Sequence, residues 1–214
     1  GMNVGVHGDN FSTLFSYRLN GLVSYKFGGV EMLKNVPMPN FWRAPTENDI
    51  GCGFPGKSAI WSAVETHQNC IGREVLEESG ERFTIRYTFS ARVMPNLRTD
   101  VTYSVDRLGR LDVTVHYHGG ENRPQLPLLG LRFATTAPVE QTTWGGLSGE
   151  TYPDRFKGAK AGRFTEIPHI PNYLVPQECG NRTGVRWAEV TDARGRGVRF
   201  AAGDGPGGRM EEIQ

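Results

Sequence analysis

The sequence predicts an all-β protein, an antiparallel β-sandwich with one short helix, on three observations. Apolar residues recur with a period of two wherever a period can be read. Glycine supplies 28 of the 214 residues, well above the ~7% of ordinary globular chains, and without low-complexity repeats that excess means many tight turns between short strands. Strands never alternate regularly with helices, so no TIM barrel fits in this chain.

The elements follow in order. Phe11, Thr13, Phe15, Tyr17 and Leu19 share one face of a strand that runs to Asn20-Gly21. That dipeptide favours a type I′ turn, and Val23, Tyr25 and Phe27 resume the alternation as far as Gly28-Gly29. Ser58 to Gln68, with Ile60, Trp61 and Val64 clustered at helical spacing, is the one segment that reads as helix. Phe83, Ile85, Tyr87, Phe89 and Ala91 line one strand face, and Val101, Tyr103 and Val105 another. Asp106 to Gly109 turns the chain, and Leu111, Val113, Val115 and Tyr117 return. Leu129 to Phe133, Val185 to Val190 and Val198 to Phe200 are shorter strands. Each apolar face must bury against a second layer, which makes a sandwich. No linker interrupts the chain, so one domain is expected over residues 2–206, with residues 207–214 a divergent, glycine-flanked tail. Gly1 before Met2 reads as a cleavage remnant and stands outside the fold.

A formal net charge of +1 offers no pull toward nucleic acid or an anionic membrane. No apolar run approaches the ~18 residues of a membrane span, and no leader opens the chain. Cys52, Cys70 and Cys179 have no metal-ligand spacing. Their odd number argues against a disulfide framework and for a reducing, cytoplasmic setting.

Phe41-Trp42-Arg43-Ala44-Pro45-Thr46-Glu47-Asn48-Asp49-Ile50-Gly51 is the most informative stretch. Its composition reads as a loop rather than a helix or strand, because Pro45 blocks helix continuation and Asn48, Asp49 and Gly51 are turn formers. A sugar-facing rim would use Trp42 as a stacking surface and Arg43, Asn48 and Asp49 as hydrogen-bonding groups. The plainer alternative is that the arginine and carboxylates cap backbone groups internally. Two further segments stand out. One runs from Trp144 to Arg155, where Glu150, Asp154 and Arg155 can form a charge network. The other is Pro176-Gln177-Glu178-Cys179-Gly180-Asn181-Arg182, followed by Val185-Arg186-Trp187. Glu178 could be offered as a general acid or base, work that carboxyl groups do with a partner held nearby. Nothing pairs with Glu178 by spacing, so it reads as a buried structural carboxylate bound to arginine. His116 and His118 share a strand face ~6.5 Å apart, a spacing that suits a metal. No third ligand is spaced to join them, so the histidines read as ordinary residues of a polar face.

The first stretch resembles the "RAP-x-x-NDIG" pattern of the C-terminal domain of LacZ-like β-galactosidases of glycoside hydrolase family 2. The other two resemble that family's "W-x-G-x-G-P-x-E-x-Y-x-D-R" and "P-Q-E-x-G-N-R…V-R-W". The second match is one residue short and lacks the Gly-Pro pair. Leu126 to Phe133 lies between the first and second motifs, with Leu128 where the family has arginine. The resemblance covers roughly residues 10–206. It implies a supersandwich of the galactose mutarotase type that carries no catalytic residue, because the family's two glutamates sit on a separate barrel. It implies a wall of the active-site mouth with Trp42, Arg43, Asn48 and Asp49 against substrate, and Gly51 as hinge of a mobile loop after it. It implies no cofactor in this chain, Mg²⁺ and Na⁺ being bound mainly by other domains. The partners implied are those domains or a companion chain, with weak affinity for a galactoside. The family pattern stops at Pro206, before its sugar-platform tryptophan. An edge left open near Val198 to Phe200 would favour a homo-oligomer contacted around residues 196–214.

Two alternatives stay open. A free-standing carbohydrate-binding module requires exposed Trp42 and Trp61. A mutarotase-like isomerase requires His116, His118 or His169 to converge with Glu178.

Overall fold

The computed structural model describes residues 3–149, 157–169, 176 and 178–203. Glu150, Asp154, Arg155 and the segment 207–214 lie outside the described residues. Strands β1 (Asn3–His7), β2 (Phe11–Ser16), β3 (Gly21–Phe27), β4 (Val30–Glu31) and β5 (Met38–Asn40) come first. Three short helices follow, α1 (Glu47–Gly51), α2 (Phe54–Ser58) and α3 (Ile60–Thr66). Then come β6 (Gln68–Glu78), β7 (Arg82–Ala91), β8 (Met94–Asp106), β9 (Leu111–Tyr117) and β10 (Gly130–Arg132). Strands β11 (Gln141–Leu147), β12 (Ala161–Glu166), β13 (Trp187–Thr191) and β14 (Gly197–Ala201) complete the set. Every strand pairing is antiparallel, as the period of two predicts. The chain divides into two compact units, Gly1–Ala44 with Gly53–Thr136, and Pro45–Cys52 with Ala137–Gln214.

The first unit is a sandwich. One sheet has the order β1-β2-β3-β4, the other β6-β7-β8-β9, and β5 pairs with β10. Phe83, Ile85, Tyr87 and Phe89 from β7 and Val101, Tyr103 and Val105 from β8 are buried together with Phe11, Phe15 and Leu22 from the other sheet. The Phe15 ring lies 5.6 Å from Phe83 and 5.7 Å from Tyr103. Each such side chain contributes roughly 1.5–3 kcal/mol by leaving water. The two buried phenols keep their hydroxyls satisfied, Tyr87 donating to the Ser16 carbonyl and Tyr103 to that of Pro37. Burial pushes both phenols well above the ordinary tyrosine range.

A second cluster in this unit joins Phe41, Trp61, Val64, Ala91, Met94 and Leu97. Phe41 stacks on Trp61 at 5.7 Å, and Tyr117 meets Trp61 edge-on at 5.9 Å. Helix α3 is short, so packing rather than propensity holds it.

Among its described residues the other unit has one sheet, ordered β12-β11-β13-β14, with β14 at an edge. Trp144, Val185 and Ala188 form its core, and Phe164 packs against them. Trp144 donates its indole N–H to the Leu147 carbonyl at 2.9 Å. Arg182 lies 4.9 Å over the Trp144 ring and makes a two-oxygen ion pair with Glu166.

Several expectations need correction. The turn after β2 spans Tyr17 to Asn20, and only Asn20 is left-handed, at φ 59°. The two-residue turn with both φ positive is Gly28-Gly29, between the paired Phe27 and Val30. A bulge at Val23, where Leu14 pairs Ser24 but Phe15 pairs Leu22, explains why Leu22 rather than Val23 is buried. Among the described residues three helices replace the expected one, and the expected helix end at Gln68 begins β6. That strand was not anticipated, because it carries Arg73, Glu74, Glu77 and Glu78 and its register shifts twice. Among the described residues no helix is long and apolar enough to cross a membrane.

Candidate functional site

The Phe41–Gly51 stretch begins with two residues held by one carboxylate. Glu65, near the end of α3, accepts the backbone N–H of Phe41 at 3.0 Å and of Trp42 at 2.9 Å through Oε2. Its Oε1 takes the Arg132 guanidinium at 2.8 Å, and Arg132 also reaches Asn40 Oδ1 at 2.9 Å. Phe41 is fully buried, so it pins the start of the segment. Trp42 is half-buried and lies against the same cluster. The Arg43 guanidinium sits 5.9 Å over the Phe54 ring and donates to the Ala44 carbonyl at 3.2 Å.

The remainder of the stretch is α1, which corrects the expectation of an irregular loop. Thr46 is its N-cap: the Thr46 hydroxyl accepts the Asp49 N–H at 3.2 Å, and the Asp49 carboxylate accepts the Thr46 N–H at 2.8 Å. This reciprocal box satisfies two donors that a helix start leaves orphaned. Pro45 lies just ahead of it, where it costs nothing. The Asn48 N–H donates to the Pro176 carbonyl at 3.3 Å, and the Asn48 side chain is exposed.

Gly51 was expected to hinge. It lies inside α1 without a positive φ, and a Cβ placed on it would meet nothing within 4 Å. The left-handed residue is Gly53, at φ 72°, immediately before α2. The backbone freedom that only glycine supplies is therefore required two residues later than expected.

The five predicted rim residues are not gathered in one unit. Trp42 and Arg43 belong to the first, and Asn48, Asp49 and Gly51 to the second. Trp61 is 1% exposed and donates its indole N–H to the Pro124 carbonyl, which removes it as a sugar platform. Glu178 is half-buried rather than buried. The arginine of its own motif, Arg182, pairs with Glu166. His116 and His118 lie in the first unit and Glu178 in the second, and the carboxylate beside those histidines is Asp100. Glu65 was missed by sequence reasoning. Its only signal was an acidic side chain near the end of a helix whose other contacts are apolar.

The expectation that no third ligand joins His116 and His118 also fails. Asp100 is the direct cross-strand partner of His116 in the β8–β9 ladder. One ligand atom from each of Asp100, His116 and His118 lies within 4.8 Å of the others. His118 Nε2 is 2.8 Å from Asp100 Oδ2, and the Thr88 hydroxyl donates to Asp100 Oδ1 at 2.6 Å. Burial alone would raise the Asp100 pKa, but the hydrogen bonds from Thr88 and His118 outweigh it and hold the carboxyl below its ordinary value.

A family model described as beta galactosidase small chain matches residues 7–207. A beta-galactosidase of Halalkalibacterium halodurans is 38% identical over 211 residues, 96% of this chain and 21% of its own length. A beta-galactosidase small subunit of Latilactobacillus sakei is 36% identical over 210 residues, 88% of this chain and 66% of its own. A beta-galactosidase of Streptococcus thermophilus is 35% identical over 204 residues, 94% of this chain and 20% of its own. The chain thus spans about a fifth of the two longer relatives and about two thirds of the small subunit. The family match runs through all three motif segments and nearly the whole chain, and the chain belongs to the beta-galactosidase small-chain family.

Proposed function

We propose that this chain is the small-chain portion of a retaining β-galactosidase, supplying part of the active-site mouth while another portion or a companion chain supplies the catalytic carboxylates. The carrying observation is the anchoring of the Phe41–Gly51 stretch. Glu65 holds the backbone at Phe41 and Trp42, and the Thr46–Asp49 box locks α1 five residues later. Such anchoring lets half-buried Trp42 and Arg43 meet a sugar with little further loss of conformational entropy. Trp42 offers the ring face and Arg43 hydrogen-bond donors. Asp49 is committed to its cap and acts by positioning α1.

Retaining hydrolysis requires paired carboxyl groups roughly 5–5.5 Å apart at an open cleft. Three of the carboxylates that the fold holds in place are spent otherwise. Glu65 binds backbone and Arg132, Glu166 binds Arg182, and Glu31 binds three backbone N–H groups. The same commitments disfavour an all-oxygen Mg²⁺ or Na⁺ shell built from these groups. Burial of Trp61 weighs against the free-standing binding module.

The test is reconstitution with the complementary catalytic portion, followed by hydrolysis of a chromogenic β-galactoside. The chain alone is expected to give no turnover. In the reconstituted enzyme, Trp42→Ala should raise KM about tenfold or more with a smaller change in kcat, as loss of uniform binding does. Turnover by the isolated chain that disappears in Glu178→Gln, or an unchanged KM in Trp42→Ala, would overturn the proposal.

A further inference from the structure

We infer that Asp100, His116 and His118 form a binding site for a divalent first-row cation of the zinc class, on the face of the β6–β9 sheet opposite its core. Strand periodicity places His116 on one face of β9 and His118, the residue just past its end, on the same side, and the antiparallel register sets Asp100 directly beside His116. Thr88 is in turn the direct partner of Asp100 on β7. Thr88, Asp100 and His116 therefore form one row across three hydrogen-bonded strands, a rigid frame for a ligand set.

The geometry fits a cation. The three ligand atoms lie within 4.8 Å of one another, and the imidazole rings are 4.3 Å apart between centroids. A tetrahedral zinc with bonds of about 2.0–2.2 Å separates its ligand atoms by roughly 3.4 Å. The His118–Asp100 contact, at 2.8 Å, is shorter than that. A cation would take the place of the shared proton and open this pair slightly, while His116 closes on the same point. The Asp100 carboxylate is 7% exposed, whereas both histidines are exposed, so the anion lies at the bottom and the imidazoles form an open rim. Three protein ligands leave a fourth position for water.

The donor set selects the metal. Two imidazoles and one carboxylate suit zinc, nickel or copper(II). Calcium and magnesium prefer all-oxygen shells, and copper(I) prefers sulfur. The Thr88 hydroxyl on Asp100 Oδ1 is the outer-shell bond that orients a ligating carboxylate. Nearby Arg86 is itself paired with Glu74, which limits its competition with an incoming cation. Binding would tie β9, the edge strand of this sheet, to β8.

The experiment uses the full chain, stripped with a chelator and titrated calorimetrically with Zn²⁺, with Co²⁺ absorption reporting coordination. One equivalent per chain is expected, with visible bands of a four-coordinate site and no comparable binding of Mg²⁺ or Ca²⁺. His116→Ala and His118→Ala should each weaken Zn²⁺ by about 100-fold or more, since losing even an outer-shell partner costs 10–100-fold. Thr88→Val should weaken it about tenfold, and His67→Ala should leave it unchanged. Both ligand histidines are exposed, so these variants fold, and circular dichroism verifies it. Absence of stoichiometric Zn²⁺ binding overturns the assignment. So does binding that survives both histidine variants, which would place it on the cysteines or other histidines. Equal affinity for Ca²⁺ overturns the metal class.

Discussion

The hairpin joining β8 to β9 and the one joining β13 to β14 are closed by the same five-residue device. In the first unit it is Asp106-Arg107-Leu108-Gly109-Arg110, in the other Asp192-Ala193-Arg194-Gly195-Arg196. Asp106 Oδ1 accepts the N–H groups of Leu108 and Arg110, and Asp192 Oδ1 accepts those of Arg194 and Arg196, all at 2.9 Å. Gly109 and Gly195 are both left-handed, at φ 85° and 75°. The surroundings differ. A Cβ on Gly109 would fall 2.4 Å from Phe11 Cγ, whereas one on Gly195 would meet nothing within 4 Å. Tyr25 also donates to the Gly109 carbonyl at 2.8 Å. Local sequence therefore writes the turn, and packing decides how much change the turn tolerates.

The largest expected effect breaks this symmetry. Gly109→Ala should destabilise by about 3 kcal/mol, combining a left-handed penalty of roughly 1–2 kcal/mol with overpacking against Phe11. Gly195→Ala should cost only the backbone part, about 1–2 kcal/mol. Urea unfolding of the two variants measures the difference, and equal losses would show that Phe11 moves aside freely.

A third carboxylate does related work without the Asp-to-Gly frame, and it sharpens the same lesson through pH. Glu31 follows the Gly28-Gly29 turn and accepts the N–H groups of Tyr25, Met32 and Leu33 and the Ser24 hydroxyl. Burial alone would raise its pKa, but these bonds together hold it below the ordinary glutamate value. Its folded value is depressed, so its contribution is complete above the ordinary carboxylate range and declines as pH falls through that range toward the lowered value. Glu31→Gln should cost about 1 kcal/mol near neutrality and flatten this part of the acid dependence. Unfolding measured across the acid range tests both, and an acid slope unchanged by the substitution would assign it to other groups.

The smallest effect concerns a glycine that needs no special backbone. Gly51→Ala should be neutral or stabilise α1 by about 0.5 kcal/mol, because its φ is not positive and its Cβ would point into open space. A thermal melt that falls by several degrees would restore the hinge reading.

What was legible followed from local rules. The faces of β7 and β8 were readable because Phe83 to Ala91 and Val101 to Val105 alternate without interruption. The Asp106 turn was readable because aspartate and glycine sit where its hydrogen bonds need them. Strand β6 was not, since its charged positions and two register shifts break the alternation. The capping of α1 was hidden by Pro45 and Gly51, which read as loop formers although Thr46 and Asp49 stand at capping-box spacing.

By itself, then, the chain's sequence determined the strand class, several turns and the motifs that identify the family, because each depends on neighbours a few residues apart. Only the tertiary structure decided which side chains meet. Glu65 reaches back 24 residues to the Phe41 N–H, Trp61 is buried beneath Phe41 and Tyr117, and Asp100 comes to lie beside His116 and His118. The physical reason is that strand register and burial arise from contacts between distant segments, and a one-residue shift in any ladder would turn those same side chains to the opposite face.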